Sequence, residues 1–194
     1  MKTIKNTTVK EYVVNKSRFI CILCNIDSID EVNEKIVSYK KEYKDATHYC
    51  FAYIYDGYMK CDDDGEPSGT AGMPILNVLK SNDLEHVLCI VIRYFGGVKL
   101  GAGGLVRAYN KSACLALDDA SLANIMDGYY VEILFDYDLT KIIDSYLKDI
   151  LVIKNFGEKV KYSFKIDING FNRLENLLCQ SAEIIKKEPV LLIV

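Results

Sequence analysis

Five glycines fall within nine residues of this chain: Gly96, Gly97, Gly101, Gly103 and Gly104. Arg93 precedes them, Lys99 lies among them, and Arg107 and Lys111 follow in what reads as a helix. An apolar strand that runs into a glycine loop and then a helix has the layout of an anion site. The first turn of a helix carries unpaired N–H groups and a partial positive charge, and glycine lets a phosphate come close to them. Successive backbone amides can also form a concave anion nest. The string is not a Walker A loop, since no Gly-Lys-Ser/Thr follows. Gly101 to Gly103 begins like a dinucleotide fingerprint, but Val106 stands where the third glycine or alanine belongs. The nine residues named are therefore candidates for phosphate contact, and no cofactor is expected. The competing reading gives the glycines to tight turns and close helix–strand packing, with no ligand.

A second string, CDDDGEPSGTAGMP, spans Cys61–Pro74 and offers Asp63, Asp64 and Glu66, with Ser68 and Thr70 as polar neighbours. Carboxylates so placed could hold a hard cation or serve as acid and base. The spacing is wrong for an EF-hand, and Glu66 stands where a GxSxG elbow around Ser68 would need glycine. Turn formation by Asp, Gly and Pro explains most of the string. A further use is internal, with these carboxylates pinning Arg93, Lys99 or Arg107. His48 begins the strand that leads into the loop and could lie beside it. No residue is assigned a catalytic role. Tyr94, Phe95 and Tyr109 are the aromatics near the cations, placed for core packing or for stacking on a base.

The elements that must position these residues follow from periodicity. Val9–Val14 and Ser17–Ile26 read as strands, the second buried. Ser28 with Glu31 makes a capping box for an amphipathic helix reaching about Lys44. His48–Tyr55 and Tyr58–Cys61 flank Asp56-Gly57, a two-residue hairpin signal. Thr70 or Gly72 is expected to cap a short helix holding Pro74 in its first turn. His86–Phe95 is a buried strand, and a largely apolar helix is expected from Leu105 to Leu122. A turn near Asn124–Gly128 then precedes an alternating strand from Tyr129. A helix capped by Asp138, two strands around Asn155–Glu158, a helix opened by Asn169-Gly170 and the strand PVLLIV complete a β-α-β-β-α-β order. The fold class is α+β, with two α/β sandwich domains at residues 1–125 and 126–194.

Half the residues are apolar, so the chain can bury a core without disulfides. The net charge of −3 excludes binding of nucleic acid by bulk electrostatics and leaves only a local cationic patch. Of seven cysteines, Cys21 and Cys24 form a CxxC inside the apolar run FICILCNI, with no second ligand pair and only two histidines in the chain. Reduced core thiols and no metal are expected. The N-terminus has no hydrophobic signal region and no run reaches the length of a membrane helix, so a cytoplasmic protein without membrane association is expected.

DATHYCFAY, DDDGEPSGTAGMPIL and VIRYFGGVKLGAGGLVRAY, with KSRFI at Lys16–Ile20, resemble the signature blocks of the YigZ/IMPACT family and cover most of residues 16–112. The resemblance implies a first domain of the ribosomal-protein/elongation-factor type with a left-handed β-α-β crossover. It also implies a ferredoxin-like second domain, similar to the last domain of elongation factor G. Eukaryotic members regulate translation by competing for a partner of a starvation-responsive kinase, and bacterial members are regarded as candidate RNA- or ribosome-binding proteins. Asp62 departs from the family's usual serine and adds charge to the loop.

Three functions are then open. The first is an RNA- or ribosome-binding protein with a role in translation regulation, contacting phosphates through the glycine loop. The second is an enzyme acting on a phosphorylated or carboxylated small molecule through Asp64 or Glu66. The third is a protein-binding regulator whose loops are architectural.

Overall fold

A computed structural model of the chain describes residues 1–178 and 181–193. The chain divides into two compact units, Met1–Asn124 and Ile125–Val194. The architecture is mixed α/β, with two sheets and helices packed on them.

In the first unit β2 (Thr8–Val14) and β3 (Ser17–Asn25) form a hairpin, followed by α1 (Ile29–Glu42). The Ser28 Oγ accepts from the Glu31 N–H at 3.3 Å, as the capping signal requires, while the Glu31 carboxylate accepts from Asp27 N rather than from Ser28 N. Next come β4 (His48–Tyr55) and β5 (Tyr58–Asp62), joined through Asp56 and Gly57 with φ of 49° and 73°. Both values are positive, as the two-residue turn demands. Then follow α2 (Gly72–Ser81), β6 (Val87–Tyr94) and α3 (Gly101–Asp118). The sheet order is β2-β3-β6-β4-β5, and every neighbouring pair is antiparallel.

The central strands are apolar on both faces because both faces are covered. Phe19, Cys21, Leu23, Val87, Cys89 and Val91 pack under α2 and α3, while Ile20, Ile22, Ile90 and Ile92 pack under α1. Cys21 and Cys24 lie on opposite faces of β3, so the CxxC cannot converge on one ion. Among the described residues six cysteines are free, and no cluster of three or more metal-ligating side chains occurs. No helix among them is long and apolar enough to cross a membrane.

Several boundaries differ from the sequence expectation: the final strand, expected as PVLLIV, starts at Ala182, and Asp138 lies inside a 3-10 turn and caps no helix. The helix expected from Leu105 begins at Gly101 and ends at Asp118, so Gly101, Gly103 and Gly104 occupy its first turn. The turn expected at Asn124–Gly128 does not exist, because β7 runs unbroken over Leu122–Phe135. A Cβ at Gly128 would lie 2.5 Å from the Ile166 carbonyl oxygen, so this glycine serves close strand packing and not a turn. The start of β7 pairs antiparallel with β1 (Lys2–Ile4) through residues 122–124.

In the second unit a 3-10 turn at Tyr137–Leu139 leads into α4 (Thr140–Tyr146). Then come β8 (Val152–Phe156), β9 (Val160–Asp167), α5 (Ile168–Leu178) and β10 (Ala182–Ile193). Val194, the last residue of the expected strand PVLLIV, lies outside the described residues. The order β10-β7-β9-β8 is antiparallel throughout, and one face packs on α4 and α5 through Val131, Phe135, Ile143, Tyr162, Phe171 and Leu174.

Candidate anion-binding site

Arg93 is the second-last residue of β6 and continues the alternation of Val87, Cys89 and Val91 toward α2 and α3. The ladders set it opposite Phe19 on β3 and His48 on β4. Its guanidinium is therefore buried, with its side chain 6% exposed and that of its partner Glu66 3% exposed. The Arg93 Nη1 donates to Glu66 Oε1 at 2.5 Å, and Nη2 donates to the Ser17 Oγ at 3.3 Å. Phe19 and Phe95 flank the guanidinium, each ring centre 5.4 Å away. Its Nε has no hydrogen-bond partner.

The same Glu66 oxygen accepts from the Tyr109 hydroxyl of α3 at 2.8 Å. His48 donates from Nδ1 to the Asp64 carbonyl at 2.8 Å, which leaves Nε2 facing Glu66 at 3.8 Å. The Cys50 thiol donates to the Asp63 carbonyl at 3.0 Å and lies 3.3 Å from the Tyr109 oxygen. Burial, with the nearby Glu66, Asp64 and Asp63 charges, pushes this thiol up to about 12 against the weaker pull of the Tyr109 hydrogen bond. Cys50 therefore stays protonated and is no nucleophile.

The rest of the acidic loop is equally committed. Asp63 Oδ1 accepts from the Ala71 and Gly72 N–H groups at 2.9 and 2.8 Å, and Oδ2 accepts from Gly69 N at 2.7 Å. This corrects the capping expectation. The α2 N-cap is Ala71, without a side-chain bond of its own, and the Thr70 hydroxyl donates to the Pro67 carbonyl. Asp64 accepts from Tyr49 N at 2.7 Å and pairs with Lys40 at 3.4 Å. Asp62 accepts from Asp64 N, while Ser68 is exposed. The internal use of these carboxylates is thus what the loop displays, with Glu66 on Arg93 and the others mainly on backbone donors.

Burial pushes the Asp63 carboxyl up, but the three backbone donors outweigh it and hold it below the ordinary range. Asp63→Ala is expected to lower stability by about 1–2 kcal/mol at neutral pH, as for loss of a helix cap. A carboxyl whose folded pKa is depressed contributes fully above its unfolded value, near 3.9, and loses that contribution as pH falls through the folded value. Urea titrations should accordingly show the gap between wild type and variant closing below about pH 4. A gap that stays constant from neutral to acid pH would rule out the ionised cap.

The structure does not bring the nine sequence-predicted anion residues together: three line one cavity, three line another, and Gly96, Gly97 and Gly103 line neither. Arg93, Lys99 and Gly101 line one cavity of about 400 Å³ with Thr47, His48 and Glu66. Phe95, Pro67, Leu100, Ala102 and Leu105 supply its apolar walls. Lys99 is exposed and, among the described residues around this cavity, is the cation without a carboxylate partner. The α3 N-terminus opens here without a side-chain cap, so its first amides are left for a ligand or water. Arg107 and Lys111 lie elsewhere, lining a different cavity of about 400 Å³ with Gly104 and Tyr12. The Arg107 guanidinium lies back over the first turn of α3, 3.5 Å from where a Gly103 Cβ would be, but it lines that second cavity and not the one with Lys99.

Gly96 and Gly97 belong to the approach. The Gly96 N–H donates to the Ser17 Oγ at 3.3 Å, and Gly97 turns the chain with φ of 81°. Gly103 and Gly104 are helical, and a Cβ added to them would meet Arg107 Nη1 at 3.5 Å and Leu100 Cβ at 3.0 Å. The sequence reading passed over Ser17, Thr47 and Cys50, and gave Tyr109 to core packing or base stacking and not to Glu66. Ser17 lies in the KSRFI block, which was its one local signal.

The family model described as the Impact N-terminal domain matches residues 15–117, a span that holds every residue of this cavity. The chain is 50% identical over 119 residues to IMPACT family member YvyE of Bacillus subtilis, covering 60% of this chain and 55% of the relative. It is 38% identical over 116 residues to IMPACT family member YigZ of Escherichia coli, covering 57% and 56%. The chain thus spans about half the length of these curated relatives. A crystal structure of a hypothetical protein, 25% identical, superposes with a TM-score of 0.67 over 96% of this chain and 97% of that one.

Proposed function

The chain belongs to the IMPACT family, and from that premise we propose an RNA- or ribosome-binding protein with a role in translation regulation, acting in the cytoplasm. The observation that carries this reading is the uncapped N-terminus of α3 opening beside the unpaired Lys99. Phosphate is the chemistry that such an end takes, since its amides and dipole both favour an anion. Contacts of this type position a nucleic acid without reading its sequence. Arg107 and Lys111, exposed further along α3, extend the cationic track. The enzyme reading finds His48 and Glu66 in one cavity, but each loop carboxylate already holds a structural partner.

Within this proposal the first unit is the elongation-factor-type domain with a left-handed crossover, and the second is a ferredoxin-like sandwich. For the second, support comes from its strand order, which in chain order runs fourth, first, third, second. That unit would add ribosomal or protein contact surface.

Retention of RNA on filters tests the reading. Binding should weaken steeply between low and physiological salt, and Lys99→Glu should reduce the slope of log affinity against log salt by about 1. An absence of RNA binding at low salt would refute it.

A further inference from the structure

The charges of the first unit are sorted by face. Neither α2 nor α3 carries an acidic residue before Asp118, the last position of α3. Their cations are Lys80, Arg107 and Lys111, all exposed, and Lys16 stands in the β2–β3 turn whose backbone meets Gly96. Lys10, on the neighbouring β2, is tied to Asp119 at 3.0 Å, whereas these four have no carboxylate partner among the described residues. The other face of the same sheet is covered by α1, where Asp30, Glu31, Glu34 and Glu42 outnumber Lys35, Lys40 and Lys41. A chain of net charge −3 thus keeps one face wholly positive, which is the footprint of a polyanion and not of a neutral partner.

Arg107 stands between two concavities of this face. One, of about 310 Å³, is shared by α2 and α3 and lined by Met73, Asn77, Val106 and Asn110. The other, of about 400 Å³, is lined by Tyr12, Asn15, Gly104 and Lys111. Arg107 and Lys111 are four residues apart, so they lie on one side of α3 about 6 Å apart along its axis. Beside them the Asn77 side chain has no hydrogen-bond partner among the described residues, and Asn110 only accepts from the Cys114 thiol at 3.7 Å. Cations in a row with free amides next to them can take phosphates and hydroxyls together.

The same face lacks what a single strand needs. Single strands are held by bases stacked on aromatic side chains. Helix α2 has no aromatic residue, and Tyr109, the one in α3, is fully buried. Tyr12 is half-buried, with its ring tilted against Phe19. Phe95 is exposed but lines the cavity of Lys99 and neither of these two. A duplex needs no such platform, because its bases already stack on one another. Double-stranded RNA offers phosphates and 2′-hydroxyls across a wide, shallow minor groove, and is recognised by them and by its shape.

We infer that the α2–α3 face binds double-stranded RNA, with Arg107 and Lys111 on the phosphates and Asn77 and Asn110 on the 2′-hydroxyls. This duplex site rests on the RNA-binding reading above and adds to it the form of the RNA and the residues that hold it.

Fluorescence anisotropy of the full chain tests this with one sequence in three forms: an RNA duplex of about 20 base pairs, one of its single strands, and the matching DNA duplex. The RNA duplex should bind more tightly than the single strand, and about tenfold more tightly than the DNA duplex. Arg107→Ala combined with Lys111→Ala should lower the slope of log affinity against log salt by about 2. Asn77→Ala combined with Asn110→Ala should keep that slope and bring the RNA and DNA duplexes to equal affinity. All four residues are exposed, so an unchanged thermal midpoint confirms that the variants fold. Tighter binding of the single strand would overturn the duplex face and leave RNA binding standing. Duplex binding indifferent to the Arg107 and Lys111 changes, or equal binding of the two duplexes by the wild type, would do the same. Binding of poly-L-glutamate with no affinity for any nucleic acid would give the face to an acidic protein and end both readings, and no binding of any probe would also end both.

Discussion

Arg93→Met is expected to destabilise the chain by about 3–5 kcal/mol, the usual cost of stranding one member of a buried ion pair. Glu66 would keep the Tyr109 hydroxyl but lose its cation, in a site where its side chain is 3% exposed. Removing both charges has a different outcome. Arg93→Met combined with Glu66→Gln leaves no buried charge, and the pair of changes should cost well under the sum of the single ones. Urea unfolding of the two single variants and the double variant gives the coupling directly. A single Arg93→Met that costs under about 1 kcal/mol would mean that the pair behaves like an exposed one, and the account of the buried pair would fall. The unpaired Nε works the other way, since Arg93→Met also removes that unmet donor and offsets a part of the cost.

Gly96→Ala is expected to be comparably severe, at about 3 kcal/mol or more. A Cβ there would lie 2.0 Å from both the carbonyl carbon and oxygen of Lys16, and 2.4 Å from Ser17 N. These are backbone atoms of the β2–β3 turn, whose Asn15 and Lys16 already hold positive φ of 46° and 65°. Nothing flexible is available to yield. Gly97→Ala is the instructive control, since a Cβ at Gly97 meets open space and the penalty comes from its φ of 81° alone. That penalty is about 1–2 kcal/mol. Thermal or urea melts of the two variants should therefore rank Gly96 above Gly97. The reverse order would place the close approach at the wrong glycine.

The elements governed by local chemistry were legible in the sequence. Asp56-Gly57 specified its hairpin, Ser28 capped α1, and the apolar runs of β3 and β6 announced strands covered on both faces. Glycine was the main source of error, because one residue type serves opposite purposes. At Gly101 to Gly104 it looked like loop and is helix, and at Gly128 it looked like turn and is a tight crossing inside a strand.

Within the candidate site, Arg93 was legible as a residue of interest and illegible as to direction. The glycines that follow suggested a phosphate contact, with pairing to the loop carboxylates as the competing use, whereas the period of two through Val87, Cys89 and Val91 already pointed it inward. The partners of Asp63 could not be read at all. Its bonds to the start of α2 span six to nine residues of irregular chain, where no periodicity applies.

Those Asp63 bonds also bear on which parts of the first unit are protected together. Helix α2 has ten residues, no side-chain cap of its own and a glycine at its first position. A segment of that length is marginal in isolation. Its start is instead pinned by a carboxylate that follows directly on β5, the outer strand of the β4–β5 hairpin. Helix α2 is therefore expected to gain its protection from hydrogen exchange together with the end of β5 that carries this anchor, and Asp63→Ala to lower the protection of α2 more than that of β6.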